Sequence, residues 1–362
     1  MELKAANNYM NSKNSNNSDS QTTTWPALDV VKFVCVTMMV FIHAHMVLIT
    51  DSYRIINTHG FFYQITNKLM FLGLFLTALP MIAGAVLRMN NNRNFGETIK
   101  TAIFISLLGF LMNMITWGAG YTFSWNILQL IGLSFIVIVF LEKEFSHRAV
   151  FWVSLIVVFL AVPLRNFLGT LDYNYFVSIF IGADNGFIFW PFFPWFGVVG
   201  FGFLFAHYYL KYKDSLKFRM SAMLAGIGLL AIAVFRHEIS PSLGSKYVWN
   251  SSLFQPAIGW VLASMGLFLV LVAVGSFLFN KIKLKKYGII NSYSKGILWI
   301  YVAQMFVSYK LSFLVKNFFS MSEPSRAYFI LPIFMFLFSW AVGAASIKLL
   351  REKRAVIVLR KV

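Results

Sequence analysis

The stretch ALDVVKFVCVTMMVFIHAHMVLIT, residues 27–50, decides the fold class of this protein. As a helix it is long enough to cross a bilayer, because each residue advances about 1.5 Å and the hydrocarbon core is about 30 Å thick. Further apolar runs of spanning length follow it, at 66–88, 99–117, 124–141, 148–168, 190–211, 218–236, 255–279, 294–318 and 327–350. The sequence therefore predicts an all-α, polytopic integral membrane protein with about ten transmembrane helices.

The composition of the chain excludes a soluble globular domain. Of the 362 residues, 59% are hydrophobic and only 12% are charged, whereas soluble domains carry about 25% charged residues. A transmembrane β-barrel is also excluded, because its strands would alternate in polarity over about ten residues. The single cysteine, Cys35, lies in the first apolar run and leaves no disulfide framework within the chain.

The two ends of the chain differ from this apolar body. Residues 1–24 are rich in Asn, Ser and Thr and contain no apolar stretch, which predicts a disordered cytoplasmic tail. Residues 25–350 form the predicted transmembrane domain, and residues 351–362 a basic cytoplasmic tail. The first apolar run is of spanning length, so it predicts a membrane anchor rather than a cleaved signal peptide.

The distribution of Lys and Arg orients the predicted helices. Of the 31 basic residues, 22 fall on the side of the N-terminus and eight in the loops of the other side. Cytoplasmic loops carry the excess of Lys and Arg, so both termini are predicted to be cytoplasmic, in agreement with an even number of spans. This topology and anionic lipid account for the net charge of +18. Nucleic acid is therefore not an expected partner.

Ionisable residues within the first span are the main functional signal, because such residues are costly in a membrane. Asp29 is the only acidic residue well inside a predicted span, and Lys32, His43 and His45 lie on the same helix. At 100° per residue, Asp29, Lys32 and His43 share one face and His45 lies on another. Asp29 and Lys32 are explained equally well as an i,i+3 pair at the cytoplasmic edge. A buried, hydrogen-bonded histidine is the alternative explanation of His43.

Other polar residues add candidates for the same chemistry. His43 lies about 16 Å from Lys32 along the helix axis, a spacing that suits a long acyl donor with phosphates at one end and a general base at the other. His59 follows the first helix, in the loop NTHGFF. Asn126 and Gln129, near the outer end of their helix, suit binding of a carbonyl or of acceptor hydroxyls, or interhelical hydrogen bonding.

Several stretches resemble a known family. LDVVKFVCVTMMVFIH resembles the first helix of the membrane acyltransferase superfamily, which contains the acyltransferase-3 proteins and the heparan-alpha-glucosaminide N-acetyltransferase-like proteins. The second branch is favoured by FLTALPMIAGAVLR, WNILQLIGLSFIVIVFLE and WPFFPWFGVVGFGFLF, and by the later stretch YGIINSYSKGILWIYVAQ. Together these stretches cover most of residues 28–304, and their order is more specific than any one of them.

The resemblance implies that residues 25–350 form an acyltransferase domain. It implies transfer of an acyl group, usually acetyl, from cytoplasmic acyl-CoA (acetyl-CoA) to an extracytoplasmic sugar, glycan or glycolipid, by O- or N-acetylation and without a metal. His43 matches the first-helix histidine of the acyltransferase-3 pattern, with Lys32 in place of the usual arginine. His59 lies where the heparan-type enzymes carry their active histidine. Both remain candidate catalytic bases, with His43 ranked first. The expected substrate-binding residues are Asp29, Lys32, Asn126 and Gln129.

A second function class fits the same polar residues. A transporter or flippase of a sugar or of a lipid-linked saccharide would also place Asn, Gln and His along a membrane path, although the scarcity of acids in the spans argues against proton coupling. The expected partners are membrane lipid and the glycan or glycolipid acceptor, and a homo-oligomeric state is left open. The expected location is the bacterial cytoplasmic membrane.

Overall fold

The computed structural model describes residues 25–51, 74–90, 94–168, 175–182, 188–235, 256–279, 288–310 and 324–359. Within these ranges the chain is helical apart from short turns, and its only β-pairing is one isolated bridge between Trp125 and Ile188. The helices are numbered in chain order: α1 Pro26–Asp51, α2 Leu74–Thr77, α3 Leu79–Met89, α4 Phe95–Trp117, α5 Ile127–Glu144, α6 His147–Leu168, α7 Tyr175–Ile181, α8 Phe192–Tyr212, α9 Leu216–Phe235, α10 Ile258–Phe279, α11 Ile289–Lys310 and α12 Pro324–Leu359.

The predicted all-α membrane fold is confirmed. Each of the ten predicted spans overlaps a helix, and in the described part of the chain seven helical stretches are long and apolar enough to cross a membrane: Pro26–Ala44, Phe95–Trp117, His147–Leu168, Phe192–Tyr212, Leu216–Phe235, Ile258–Phe279 and Ile330–Leu349. The helix α12 continues to Leu359, into the segment predicted as a basic tail. The tail predicted for residues 1–24 lies outside the described residues.

The second predicted span differs in detail from one continuous helix. Its described part is a pair of helices, α2 and α3, interrupted at Ala78. Pro80 has no backbone N–H to donate to the carbonyl four residues earlier, which weakens the helix at this point. Thr77 donates to the carbonyl of Leu74 at 2.6 Å, and Ser264 of α10 donates to the Thr77 hydroxyl at 2.6 Å. The interruption therefore lies against α10.

The helices α3 and α8 cross in direct backbone contact. A Cβ atom added to Gly84 would lie 1.9 Å from the carbonyl oxygen of Val199, and one added to Gly202 would lie 2.0 Å from that of Met81. Small residues permit this approach, as they do between other membrane helices. A glycine also permits close approach of α4 and α5, where a Cβ added to Gly132 would lie 2.0 Å from the Ser106 hydroxyl. These close approaches define the α3–α8 and α4–α5 helix pairs.

Four helix ends meet on the side that the sequence predicts to be cytoplasmic. Arg88, near the end of α3, donates to Glu142 of α5 at 2.9 Å, and its guanidinium lies 5.6 Å from the ring centre of Phe203. His147 at the start of α6 stacks on His207 near the end of α8, with ring centres 4.9 Å apart. Because these ends lie together, α3, α5 and α8 end where α6 begins, as the predicted alternation of spans requires.

The α3–α8 crossing provides a test of the packing. Replacing Gly84 by Ala should destabilise the protein by about 1–3 kcal/mol, because the new methyl group overlaps the backbone of α8. The matched control is Gly228→Ala in α9, where an added Cβ has nothing within 4 Å, and this change should leave stability equal or slightly higher. Thermal melting of both variants in detergent measures the difference, and equal melting temperatures would contradict the crossing.

Candidate active site

The helices α1 and α11 bring three polar side chains together. The Nζ atom of Lys32 lies 3.4 Å from Oδ1 of Asp29 and donates to the Ser294 hydroxyl at 3.4 Å. Ser294 in turn donates to Oδ1 of Asp29. The side chains of Lys32 and Asp29 are 12% and 19% exposed. The predicted i,i+3 contact is present, and α11 adds a third member that the sequence analysis did not single out.

This contact is a means of holding α11 against α1. A charge left alone in an apolar interior is costly, whereas a paired charge with further hydrogen bonds is tolerated. Ser294 satisfies both partners at once, so α11 cannot move away from Asp29 and Lys32 without leaving them less well satisfied. Whether the same groups also bind substrate phosphate, as expected from the resemblance, remains a prediction.

His43 lies further along the same face of α1 and meets α11 again. His43 follows Lys32 by eleven residues on α1, and Gln304 follows Ser294 by ten residues on α11. Because the two helices run parallel, the contact of Lys32 with Ser294 places His43 opposite Gln304. The side chains of His43 and Gln304 interact. Yet Nδ1 of His43 and both amide atoms of Gln304 are buried without a hydrogen-bond partner in the described ranges. The Nδ1 atom of His43 is therefore available to a further partner.

The second candidate base cannot be placed in the same way. His59 lies outside the described residues. His45 belongs to α1, but its side chain is also outside the description. The choice between His43 and His59 as the base therefore stays a prediction.

The side chains of Asn126 and Gln129 make hydrogen bonds at the start of α5. Oδ1 of Asn126 accepts from the backbone N–H of Leu128 at 2.8 Å, and Oε1 of Gln129 accepts from the backbone N–H of Asn126 at 3.1 Å. This reciprocal pattern is a capping box at the start of α5. Nδ2 of Asn126 also donates to Asn113 of α4. The spacing Asn-x-x-Gln before an apolar run is the sequence signal for it, which the sequence analysis passed over.

The capping box accounts for most of the polar atoms of this pair. Among the side-chain nitrogen and oxygen atoms of Asn126 and Gln129, only Nε2 of Gln129 is buried without a partner in the described part of the chain. Asn113 completes the connection by donating to the carbonyl oxygen of Ser124. The arrangement matches the interhelical hydrogen bonding that the sequence offered as one explanation, and the expected role in substrate binding stays a prediction.

Comparison with known proteins decides the family. Residues 25–239 match the family model described as heparan-alpha-glucosaminide N-acetyltransferase, catalytic. The chain belongs to this family. No curated protein and no solved structure gives a significant match. The match supports an integral membrane acetyltransferase acting on glycan-like substrates, of a family whose general donor is acetyl-CoA.

The matched region contains only some of the polar side chains that α1 and α11 bring together. The helices α1–α9 lie within residues 25–239, so the match includes Asp29, Lys32 and His43. Their partners Ser294 and Gln304 lie beyond its end, on α11. The family match and the contact between α1 and α11 are therefore independent observations, and both concern α1.

The ion pair gives a testable consequence. Lys32→Met should destabilise the protein by about 2 kcal/mol, because Asp29 keeps its charge in a mostly buried place with only Ser294 as a partner. The double variant Lys32→Met with Asp29→Asn removes both charges and should recover most of the loss. Thermal melting in detergent is the measurement. A single variant as stable as wild type would show that the pair does not hold α1 to α11.

Two variants of Asn126 distinguish its structural role in the capping box from a role in substrate binding. Asn126→Ala should lower stability by about 1 kcal/mol, because the N–H of Leu128 loses its acceptor. Asn126→Ser keeps a capping oxygen and should retain most of the stability. Acetyltransferase activity and melting temperature are measured on both. If Asn126→Ser melts like wild type but loses activity, Asn126 binds substrate in addition to capping α5.

Proposed function

We propose that this protein transfers an acetyl group from cytoplasmic acetyl-CoA to a hydroxyl or amino group of an extracytoplasmic glycan or glycolipid. The observation that supports the proposal most is the family match over residues 25–239, which includes a histidine with an unused buried nitrogen on α1. The predicted side for the donor rests on the excess of basic residues among the loops on the side of the N-terminus.

The proposed role of His43 is that of a general base. A neutral imidazole near the acceptor takes the proton of the hydroxyl or amine while that group attacks the acyl carbon. The same imidazole returns the proton to the sulfur as the carbon–sulfur bond breaks, so that the products are the acetylated acceptor and free CoA. The unused Nδ1 of His43 is suited to this exchange, because no hydrogen bond within the described residues has to be broken first.

Lys32 is proposed to act at the other end of the same helix face. It lies about 16 Å from His43 along the axis of α1, on the side predicted to be cytoplasmic. Its positive charge attracts the phosphates of the donor, while Asp29 and Ser294 hold the ammonium group in place. As a compact point charge it lacks the two-pronged geometry of an arginine, so it attracts phosphate without fixing its orientation.

Release of CoA thiol tests the proposed function. Purified protein is incubated with acetyl-CoA and a glycolipid extract, and His43→Ala and His59→Ala are compared with wild type. If His43 is the base, its loss should lower turnover at least about 100-fold with an unchanged melting temperature. His147→Ala is the control, because His147 lies at the opposite end of the helices against His207, and it should stay within about twofold of wild type.

Three results would change this view. Loss of turnover in His59→Ala with turnover kept in His43→Ala would move the base to His59. Turnover by wild type only when acetyl-CoA is outside right-side-out vesicles would contradict the donor side. A wild type that neither binds nor consumes acetyl-CoA would favour the transporter or flippase, whose transport should tolerate the loss of both histidines.

A further inference from the structure

Gln304 is a buried polar side chain that contacts His43 but whose amide atoms make no hydrogen bond of ordinary geometry within the described fold. It is 0% exposed, and neither Oε1 nor Nε2 has a hydrogen-bond partner within the described ranges. An amide carries two donor hydrogens and an acceptor oxygen with two lone pairs, and the contact with His43 uses at most one of these four positions. Buried polar groups in native proteins are almost always satisfied, and each exception calls for an explanation.

The position of Gln304 supplies that explanation. It lies on α11 beside the imidazole of His43, which has its own unused buried nitrogen. One helical turn further on α11, the buried hydroxyl of Ser308 is also without a partner in the described part of the chain. Unused polar atoms thus lie on two facing helices at His43 and Gln304, and one turn further along α11 at Ser308.

Two other buried amides among the described residues use part of their hydrogen-bonding capacity within the fold. Gln129 uses its Oε1 to cap α5, and Asn113 uses its amide group to hold the carbonyl of Ser124. These side chains have structural tasks in the α4–α5 pair. Gln304 also lies beyond residues 25–239, so the family match assigns no role to it.

We propose that Gln304 is a catalytic residue whose Nε2 donates to the carbonyl oxygen of the transferred acyl group while its Oε1 holds the imidazole of His43. The inference rests on the proposed function and adds a second residue to the same centre. Negative charge develops on the carbonyl oxygen when the acceptor attacks the acyl carbon. A fixed amide donor in a buried position stabilises this charge, and it needs no reorganisation at the moment of reaction.

The proposed step is balanced in protons and bonds. The acceptor oxygen or nitrogen forms a bond to the acyl carbon, its proton passes to His43, and the carbonyl oxygen takes up negative charge against Nε2 of Gln304. The carbon–sulfur bond then breaks, the carbonyl forms again, and the proton moves from His43 to the sulfur. Gln304 neither gains nor loses a proton, and its Oε1 keeps the ring of His43 oriented throughout.

The test replaces Gln304 by Leu, which preserves much of the side-chain volume and removes both polar atoms. Turnover number should fall about 100-fold, as it does when a single donor to a developing oxyanion is lost, while KM for acetyl-CoA should rise only a few-fold. The melting temperature should change little, because the apolar side chain removes an unused buried amide donor while His43 loses one contact. A merely structural glutamine would instead lower the melting temperature.

Ser292→Ala is the matched control on the same helix. Ser292 is fully buried and its hydroxyl also has no partner among the described residues, but its carbonyl faces Gly343 of α12. This variant should keep wild-type turnover and stability.

A spectroscopic measurement tests the hydrogen bond without relying on turnover. Acetyl-CoA labelled with ¹³C at the carbonyl is bound to the protein, and its carbonyl stretching frequency is recorded by isotope-edited infrared spectroscopy. Binding to wild type should lower the frequency, because a donated hydrogen bond weakens the carbonyl bond, and binding to Gln304→Leu should not. An equal shift in both proteins, or none in wild type, would overturn the role of Gln304.

The outcomes separate the inference from the proposed function. If His43→Ala is inactive and Gln304→Leu stays within threefold of wild type, the role of Gln304 is wrong and the acetyltransferase remains. If wild type neither binds nor consumes acetyl-CoA, the proposed function is wrong and the inference falls with it. Loss of turnover together with loss of the infrared shift supports both.

Discussion

The polar face of α1 constrains the packing of the helices around it. Lipid offers no partner to a carboxylate, an ammonium group or an imidazole, so each must meet a polar group of the protein. Asp29 and Lys32 form hydrogen bonds with Ser294, and His43 contacts Gln304. Both partners belong to α11, and this helix must therefore lie along α1 in one register. A shift of α11 by one residue would turn its polar groups away.

Close approach of the remaining helices depends on small residues. Gly84 and Gly202 let α3 and α8 touch backbone to backbone, and Gly226 with Gly266 does the same for α9 and α10. At the start of α1, Trp25 stacks on Tyr209 of α8 with ring centres 3.7 Å apart. The polar face of α1 is thus one side of a helix that is otherwise packed by apolar contacts, which keeps its few polar groups in defined positions.

The polar side chains of the site fall into two classes, those whose hydrogen-bonding atoms are paired within the protein and those that keep unpaired atoms. The capping box of Asn126 and Gln129 and the contact of Asp29 with Lys32 consume most of their hydrogen-bonding capacity within the protein. His43 and Gln304 contact each other, but Nδ1 of His43 and Nε2 of Gln304 have no hydrogen-bond partner in the described part of the chain. Unused buried polar atoms reduce stability, and such a cost is typical of groups kept ready for a substrate.

The sequence by itself determined the fold class, the approximate place of each span and the shared face of Asp29, Lys32 and His43, because hydropathy and the 3.6-residue period are local properties. It also contained the capping signal at Asn126. The helix opposite α1 was decided only by the tertiary structure. Ser294 lies 265 residues from Asp29 along the chain, and Ser264 lies 187 residues from Thr77. No local pattern encodes such pairs, since they depend on which helices pack together once all of them have formed.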